Sequence, residues 1–153
     1  GGISFYYFKG NAIRVEAMRD MVNDRNLIPQ ELRDAGLEQA INDVLAWNPN
    51  AFNSPTASFS VGGLNFYYEG VCYYTVLIRH FSNNMVPVLM GYGRYGVVRN
   101  NVYQLSINKI IGPGQPVINP PGTDPDDEDT SWISADVNIM RWYIRNQNVE
   151  ELL

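Results

Sequence analysis

Apolar residues recur at helical spacing in the first third of this chain and at strand spacing afterwards, and that one change of period restricts the folds open to it. Within residues 12–47, Ile13, Ala17, Met21 and Val22 fall on one helical face, with Arg14, Glu16 and Arg19 elsewhere. Pro29 suits the first position of a short helical turn through Leu32, which Gly36 interrupts. Leu37, Ala40, Ile41, Val44 and Leu45 make a second apolar stripe, ended by Trp47 and Asn48-Pro49-Asn50. The spacing predicts helix over 12–47, preceded by a short aromatic strand at 3–8.

From residue 57 the chain reads as strands. Segments 57–61 and 64–69 flank Gly62-Gly63, a two-residue hairpin signal that needs positive φ. Glu69-Gly70 turns again into 71–81, rich in Tyr, Val, Ile and Thr, and Asn83-Asn84 breaks that strand. A short apolar piece at 86–90 and a glycine-studded stretch at 91–96 follow, and then a strand at 102–111 with Tyr103, Leu105 and Ile107 on one face. Residues 112–130 read as an extended, mobile linker. They carry Gly112-Pro113-Gly114, Pro116, Pro120-Pro121-Gly122 and Pro125, and then the acidic run 126–129. The chain shows no internal repeat.

The segment after the linker is the most informative. Ile133, Ala135, Val137 and Ile139 alternate with Ser134, Asp136 and Asn138, the pattern of a half-buried strand. The phase then flips: Met140, Trp142 and Ile144 are apolar, while Arg141 and Arg145 are charged. One strand cannot bury both sets on one face, which calls for a bulge or break near Ile139-Met140, or for two pieces that serve different sheets or different molecules. A linker followed by such a strand suits strand addition to another molecule. Extended, residues 112–130 would reach up to ~60 Å. Six anchors, Val137, Ile139, Met140, Trp142, Ile144 and Val149, would each gain ~2 kcal/mol on burial. That gain competes with ~1–2 kcal/mol of ordering cost per residue, so a preformed groove holds the tail far better than a flat edge does. A C-terminal strand after a loop also commonly closes its own sheet, and the residues leave both readings open.

Composition excludes several classes. At 153 residues and 45% apolar, the chain suits one folded domain rather than disorder. A net charge of -5 without a basic stripe argues against nucleic acid and against an anionic membrane surface as partners. The apolar runs are too short to span a bilayer. Cys72 and His80 are the sole cysteine and histidine, so an internal disulfide and cysteine–histidine zinc spacing are both ruled out. The Gly1-Gly2 start reads as a cloning scar or as that of a chain cut from a longer precursor, so the missing address signal carries no weight.

The remaining polar groups read as structural. His80 beside Arg79 has no serine or cysteine motif and no acid partner, and no residue is assigned a catalytic role. Cys72 lies among Tyr and Val and is expected to be a small buried hydrophobe. Arg99-Asn100-Asn101 reads as a turn. Asp124, Asp126, Asp127, Glu128 and Asp129 lack the glycine and distal glutamate of a calcium loop and read as a solvated spacer, so no metal or cofactor is expected. The pairs Tyr6-Tyr7, Tyr67-Tyr68 and Tyr73-Tyr74 place one ring on each strand face, as core and subunit-contact surface or as a sugar-stacking platform.

Residues 72–80 (CYYTVLIRH), 95–101 (YGVVRNN) and 103–107 (YQLSI) resemble the C-terminal domain of Bacteroidales fimbrillins, nearest the shaft subunit of the short, or minor, fimbriae. The Gly-Pro-Gly linker, the acidic stretch and a terminal strand holding Trp142 fit as well, so the resemblance covers about residues 64–150. The helical block 12–47 departs from it and reads as an insertion. The resemblance implies transthyretin-like β-sandwich domains, export to the outer membrane as a lipoprotein, and removal of an N-terminal strand by a protease, often arginine-specific. The C-terminal strand of another subunit then fills the vacated groove.

The resulting expectation is an α+β, mainly β, domain: a Greek-key sandwich of about seven strands over 1–130, with its helical insertion and the linker 112–130. Residues 131–153 form a donor-strand tail. The expected function is that of a non-enzymatic subunit of a cell-surface fimbria that supports adhesion. Its partners would be copies of itself, accessory tip and anchor subunits, and surface ligands of host or bacterial origin. The alternative is a surface adhesin or glycan-binding module that uses the Tyr-rich face.

Overall fold

A computed structural model describes residues 1–76, 78, 97–118 and 133–141. The chain divides into two units, Gly1–Tyr73 with Pro113–Pro120, and Tyr74–Gly112 with Pro121–Leu153. Its described elements mix three α-helices with two antiparallel sheets, an α+β composition.

The first unit opens with a hairpin of β1 (Phe5–Phe8) and β2 (Asn11–Arg14). Lys9 and Gly10 connect them with φ of 43° and 86°, the two positive angles that a tight right-twisting hairpin needs. The helical stretch therefore begins later than residue 12. Ile13 points into the core from β2, and α1 runs Val15–Asn23. On α1 the buried side chains are Met18 and Met21, while Ala17 is exposed, because Ile13 no longer sets the phase of the apolar face. Next come α2 (Gln30–Asp34) and α3 (Leu37–Trp47), separated at Gly36 by a φ of 93° that suits glycine. On α3, Leu37, Ala40, Ile41 and Val44 are buried and Leu45 packs at their margin, as the stripe predicts.

β3 (Phe59–Val61) and β4 (Leu64–Tyr67) form the second hairpin across Gly62-Gly63, at φ 61° and 79°. The sheet order is β2-β1-β4-β3. Tyr6, Phe8, Ile13, Leu64, Phe66 and Phe59 make one sheet face, and the buried residues of α1 and α3 join them in a single core. Aromatic rings knit that face across strands. The Tyr6 and Phe66 centroids lie 4.7 Å apart and those of Phe59 and Phe66 5.6 Å. The helices thus supply as many buried side chains to this core as the strands do. Residues 71–76, expected as the start of a strand, pair among the described residues through a bridge between Tyr73 and Gln115. The expected pieces at 79–81 and 86–96 lie outside the described residues.

The second unit contains β5 (Asn101–Ile110) and β6 (Ile133–Arg141), an antiparallel pair. The strand predicted at 102–111 is present, one residue early.

Two outcomes follow from the core. Phe66→Ala removes a ring that is 1% exposed and touches two others, and should cost about 3–5 kcal/mol in urea unfolding. Burial pushes the Tyr6 hydroxyl up from 10.0 to about 12, with Arg19 pulling weakly the other way. The folded pKa lies above the unfolded one, so this stabilisation is intact below pH 10 and fades as pH climbs towards about 12. Tyr6→Phe should flatten the alkaline limb of a stability–pH curve over that window.

Candidate assembly site

The turn that launches β5 is built from its own polar groups. Asn100 takes a φ of 64°, a left-handed position that Asn tolerates, as the turn reading of Arg99-Asn100-Asn101 anticipates. The Asn101 side-chain amide donates to the Val98 and Arg99 carbonyls at 3.1 and 3.2 Å. The Val98 backbone N–H donates to the Tyr103 hydroxyl oxygen at 2.6 Å. Beyond it, β5 and β6 pair Tyr103 with Ile139 and Leu105 with Val137 on one side of the ribbon. Val102 with Met140, Gln104 with Asn138 and Ser106 with Asp136 occupy the other. One side is therefore apolar and the other mostly polar.

The apolar side is incompletely covered. Leu105 is 47% exposed and Ile107 62%, whereas Val137 and Ile139 are half-buried. An apolar face with side chains this exposed seeks a partner surface. Of the alternatives for the change of phase, a bulge or break at Ile139-Met140 does not occur. β6 runs through both residues, and Met140 is simply left 42% exposed on the polar side. The irregularity sits in β5 instead, between Ile107 and Lys109, where the side-chain amide of Asn108 donates to Asp136 Oδ2 at 2.7 Å.

Of the six anchors, then, Val137, Ile139 and Met140 lie in β6, paired to β5 of the same chain. Trp142, Ile144 and Val149 lie outside the described residues, as do Arg79, His80 and the acidic run 124–129. Cys72 is half-buried rather than fully enclosed.

The linker reading fails at its start. Gly114 and Pro116 are buried, and the Tyr67 hydroxyl donates to the Gly114 carbonyl at 2.6 Å in a buried position. Tyr73 and Gln115 exchange backbone N–H···O bonds of 2.8 and 2.7 Å. Segment 113–118 is thereby fixed in the first unit, with Tyr67 on the sheet face turned away from the helices. A proline- and glycine-rich composition hid this, because the clamp depends on a residue 47 positions away. Residues 119–130 lie outside the described residues.

The tyrosine pairs divide as strand alternation demands. Tyr6 and Tyr67 are enclosed, leaving Tyr7, Tyr68 and Tyr73 partly or largely in solvent. Tyr68 and Tyr73 border an open hollow of about 400 Å³ with Glu69, Val71, Val117 and Ile118. The sequence reading did not detect this hollow, since it joins two segments some 45 residues apart.

The family model for the major fimbrial subunit protein type IV, fimbrillin, C-terminal, matches residues 65–148, more than half of the chain. The match begins within β4 and takes in β5 and β6, and the helices α1–α3 lie before it. No curated protein matches the chain.

Tyr67→Phe should leave the Gly114 carbonyl without its buried donor, at a cost of about 1–3 kcal/mol. Amide hydrogen exchange at Gln115 and Tyr73 should accelerate while that of Leu64 and Phe66 holds. Unchanged exchange at Gln115 would contradict the clamp.

Proposed function

The chain belongs to the fimbrillin C-terminal family of major fimbrial subunit proteins, and from that premise we propose that it is a shaft subunit that polymerises by donating its C-terminal strand. The family is one of structural subunits of cell-surface fimbriae, generally not enzymatic, which assemble with other subunits. The finer reading is a transthyretin-like Greek-key sandwich over 1–130 with a donor tail at 131–153. It includes export to the outer membrane as a lipoprotein precursor, and accessory tip and anchor subunits as partners.

One observation supports donation most: β6 is amphipathic, pairs with β5 alone among the described residues, and belongs to a ribbon whose apolar side keeps Leu105 and Ile107 half bare. An apolar strand face that still seeks cover is a feature that strand addition uses. Pairing of Ile133–Arg141 with β5 supports leaving the first part of the tail at home. The anchors in the next subunit's groove are then Met140, Trp142 and Ile144, with Val149 beyond them. Met140 pairs with Val102 in the home ribbon and is 42% exposed, so donation of the tail would exchange that pairing for the groove.

Deleting residues 140–153 should leave a soluble protein with the first unit's unfolding transition intact and no capacity to form filaments. Electron microscopy of the full-length, proteolytically matured subunit beside the deletion is the measurement. Normal filaments from the deleted protein would refute donation. Saturable glycan binding by a protein that never polymerises would favour the adhesin instead.

A further inference from the structure

The turn that ends α3 leaves an indole ring and several amides in solvent on a firmly held loop. Trp47, the last residue of α3, is 56% exposed although its ring rests near that of Phe59, with centroids 5.4 Å apart. Asn48 then caps the helix, its backbone N–H donating to the Val44 carbonyl at 2.8 Å. The Asn48 side-chain oxygen accepts from the Asn50 backbone N–H at 3.0 Å, and the Asn50 side-chain oxygen accepts from the Asn53 amide at 3.2 Å. Ala51 and Phe52 are buried within this turn, and the Phe52 ring lies 5.8 Å from that of Tyr6. The loop is thus pinned to the core while Asn48, Asn50 and Asn53 stay exposed. Each of those hydrogen bonds uses one end of an amide. Among the described residues, the side-chain nitrogens of Asn48 and Asn50 and the side-chain oxygen of Asn53 find no partner in the chain.

The same stretch carries no charge. Residues 44–68 contain no Asp, Glu, Lys, Arg or His, in a chain of which 18% is charged. The exposed residues after the ring are Asn, Pro, Ser and Thr, a polar border unlike the apolar centre of a protein–protein contact. A bared indole beside outward amides, with no charge among them, suits a neutral, hydroxylated partner. A hexose has that double character. Its ring presents a face of C–H bonds that lies against an aromatic surface, and its rim hydroxyls donate and accept, as an amide does. We propose that Trp47 and the turn 48–53 bind a neutral glycan. The indole takes the C–H face of one sugar, the Asn48 and Asn50 amides donate to its hydroxyls, and the Asn53 oxygen accepts from one. Within the segment no cation offsets the charge of a sialylated or sulfated sugar, so neutral glycans are preferred. The site lies ahead of the residues that the family model matches, and it uses neither the tyrosine pairs nor the tail. It goes beyond the assembly reading and does not depend on it.

An array of mannose-, galactose- and N-acetylglucosamine-terminated oligosaccharides, printed beside sialylated counterparts, tests the site with the full chain. Saturable binding to at least one neutral glycan is expected, competed by the same oligosaccharide free in solution. Trp47→Ala should weaken that binding by about tenfold or more. Asn48→Asp and Asn50→Asp keep the oxygen that each loop hydrogen bond uses and exchange only the outward N–H donor. Each should weaken binding several-fold and leave the unfolding transition in place, so they decide the matter should Trp47→Ala unfold the protein. No binding to any neutral glycan, or binding to sialylated glycans alone, would overturn the proposal. So would binding that survives in both Asp variants, or that is lost in Tyr68→Ala or Tyr73→Ala and kept in Trp47→Ala. A Trp47-dependent contact with another protein, without glycan binding, would assign the ring to a protein interface and overturn it equally.

Discussion

The cross-strand contact of Tyr6 with Phe66 decides most of what surrounds it. The two residues face each other in adjacent strands with ring centroids 4.7 Å apart, and Phe52 and Phe59 close around Tyr6 at 5.8 and 6.2 Å. Each such aromatic pair adds about 0.5–1.5 kcal/mol beyond area burial, but the larger consequence is geometric. A sheet face this rich in rings has to be covered, and the buried stripes of α1 and α3 provide the cover. The loop between β1 and β2 and the glycine hairpin between β3 and β4 follow from it, because only tight turns bring these short strands into that register.

The reverse face of the same sheet follows a different logic. Phe5 and Tyr67 stack there at 4.7 Å, nearly parallel, and Tyr67 is fully enclosed. Its hydroxyl still requires a partner in that setting, and the Gly114 carbonyl supplies one. One buried hydroxyl thus captures a segment that lies far along the chain, in which Pro116 is also fully buried. The hollow bordered by Tyr68 and Tyr73 is a by-product of this capture, since the captured segment and residues 71–73 pair at one bridge only.

The ribbon of β5 and β6 is held mainly by ladder hydrogen bonds and by pairs such as Leu105–Val137. A bulge at Asn108 twists one end, and side-chain amides organise the other through the Val98–Asn101 turn. Such a ribbon is specified in register yet poor in buried area. A ring-filled core and a ribbon with exposed apolar side chains are thus held together by different interactions. The helices before the family-matched range contribute their buried stripes to the first unit's core.

Local signals in the residues determined a good deal. The α3 stripe, the Gly62-Gly63 hairpin, the Asn100 turn and the alternation in β5 were legible because each depends on neighbours within a few positions. Lys9-Gly10 carried a hairpin signal of the same kind, although Ile13 also fitted a helical stripe and masked it. Tertiary structure alone decided that Met18 rather than Ala17 faces the core, that residues 113–118 are clamped rather than free, and that β6 passes Ile139-Met140 unbroken. Each of these turns on a contact between distant segments, whose energy no local window contains. An apolar period states which side of a strand seeks cover, and only the assembled fold states what covers it.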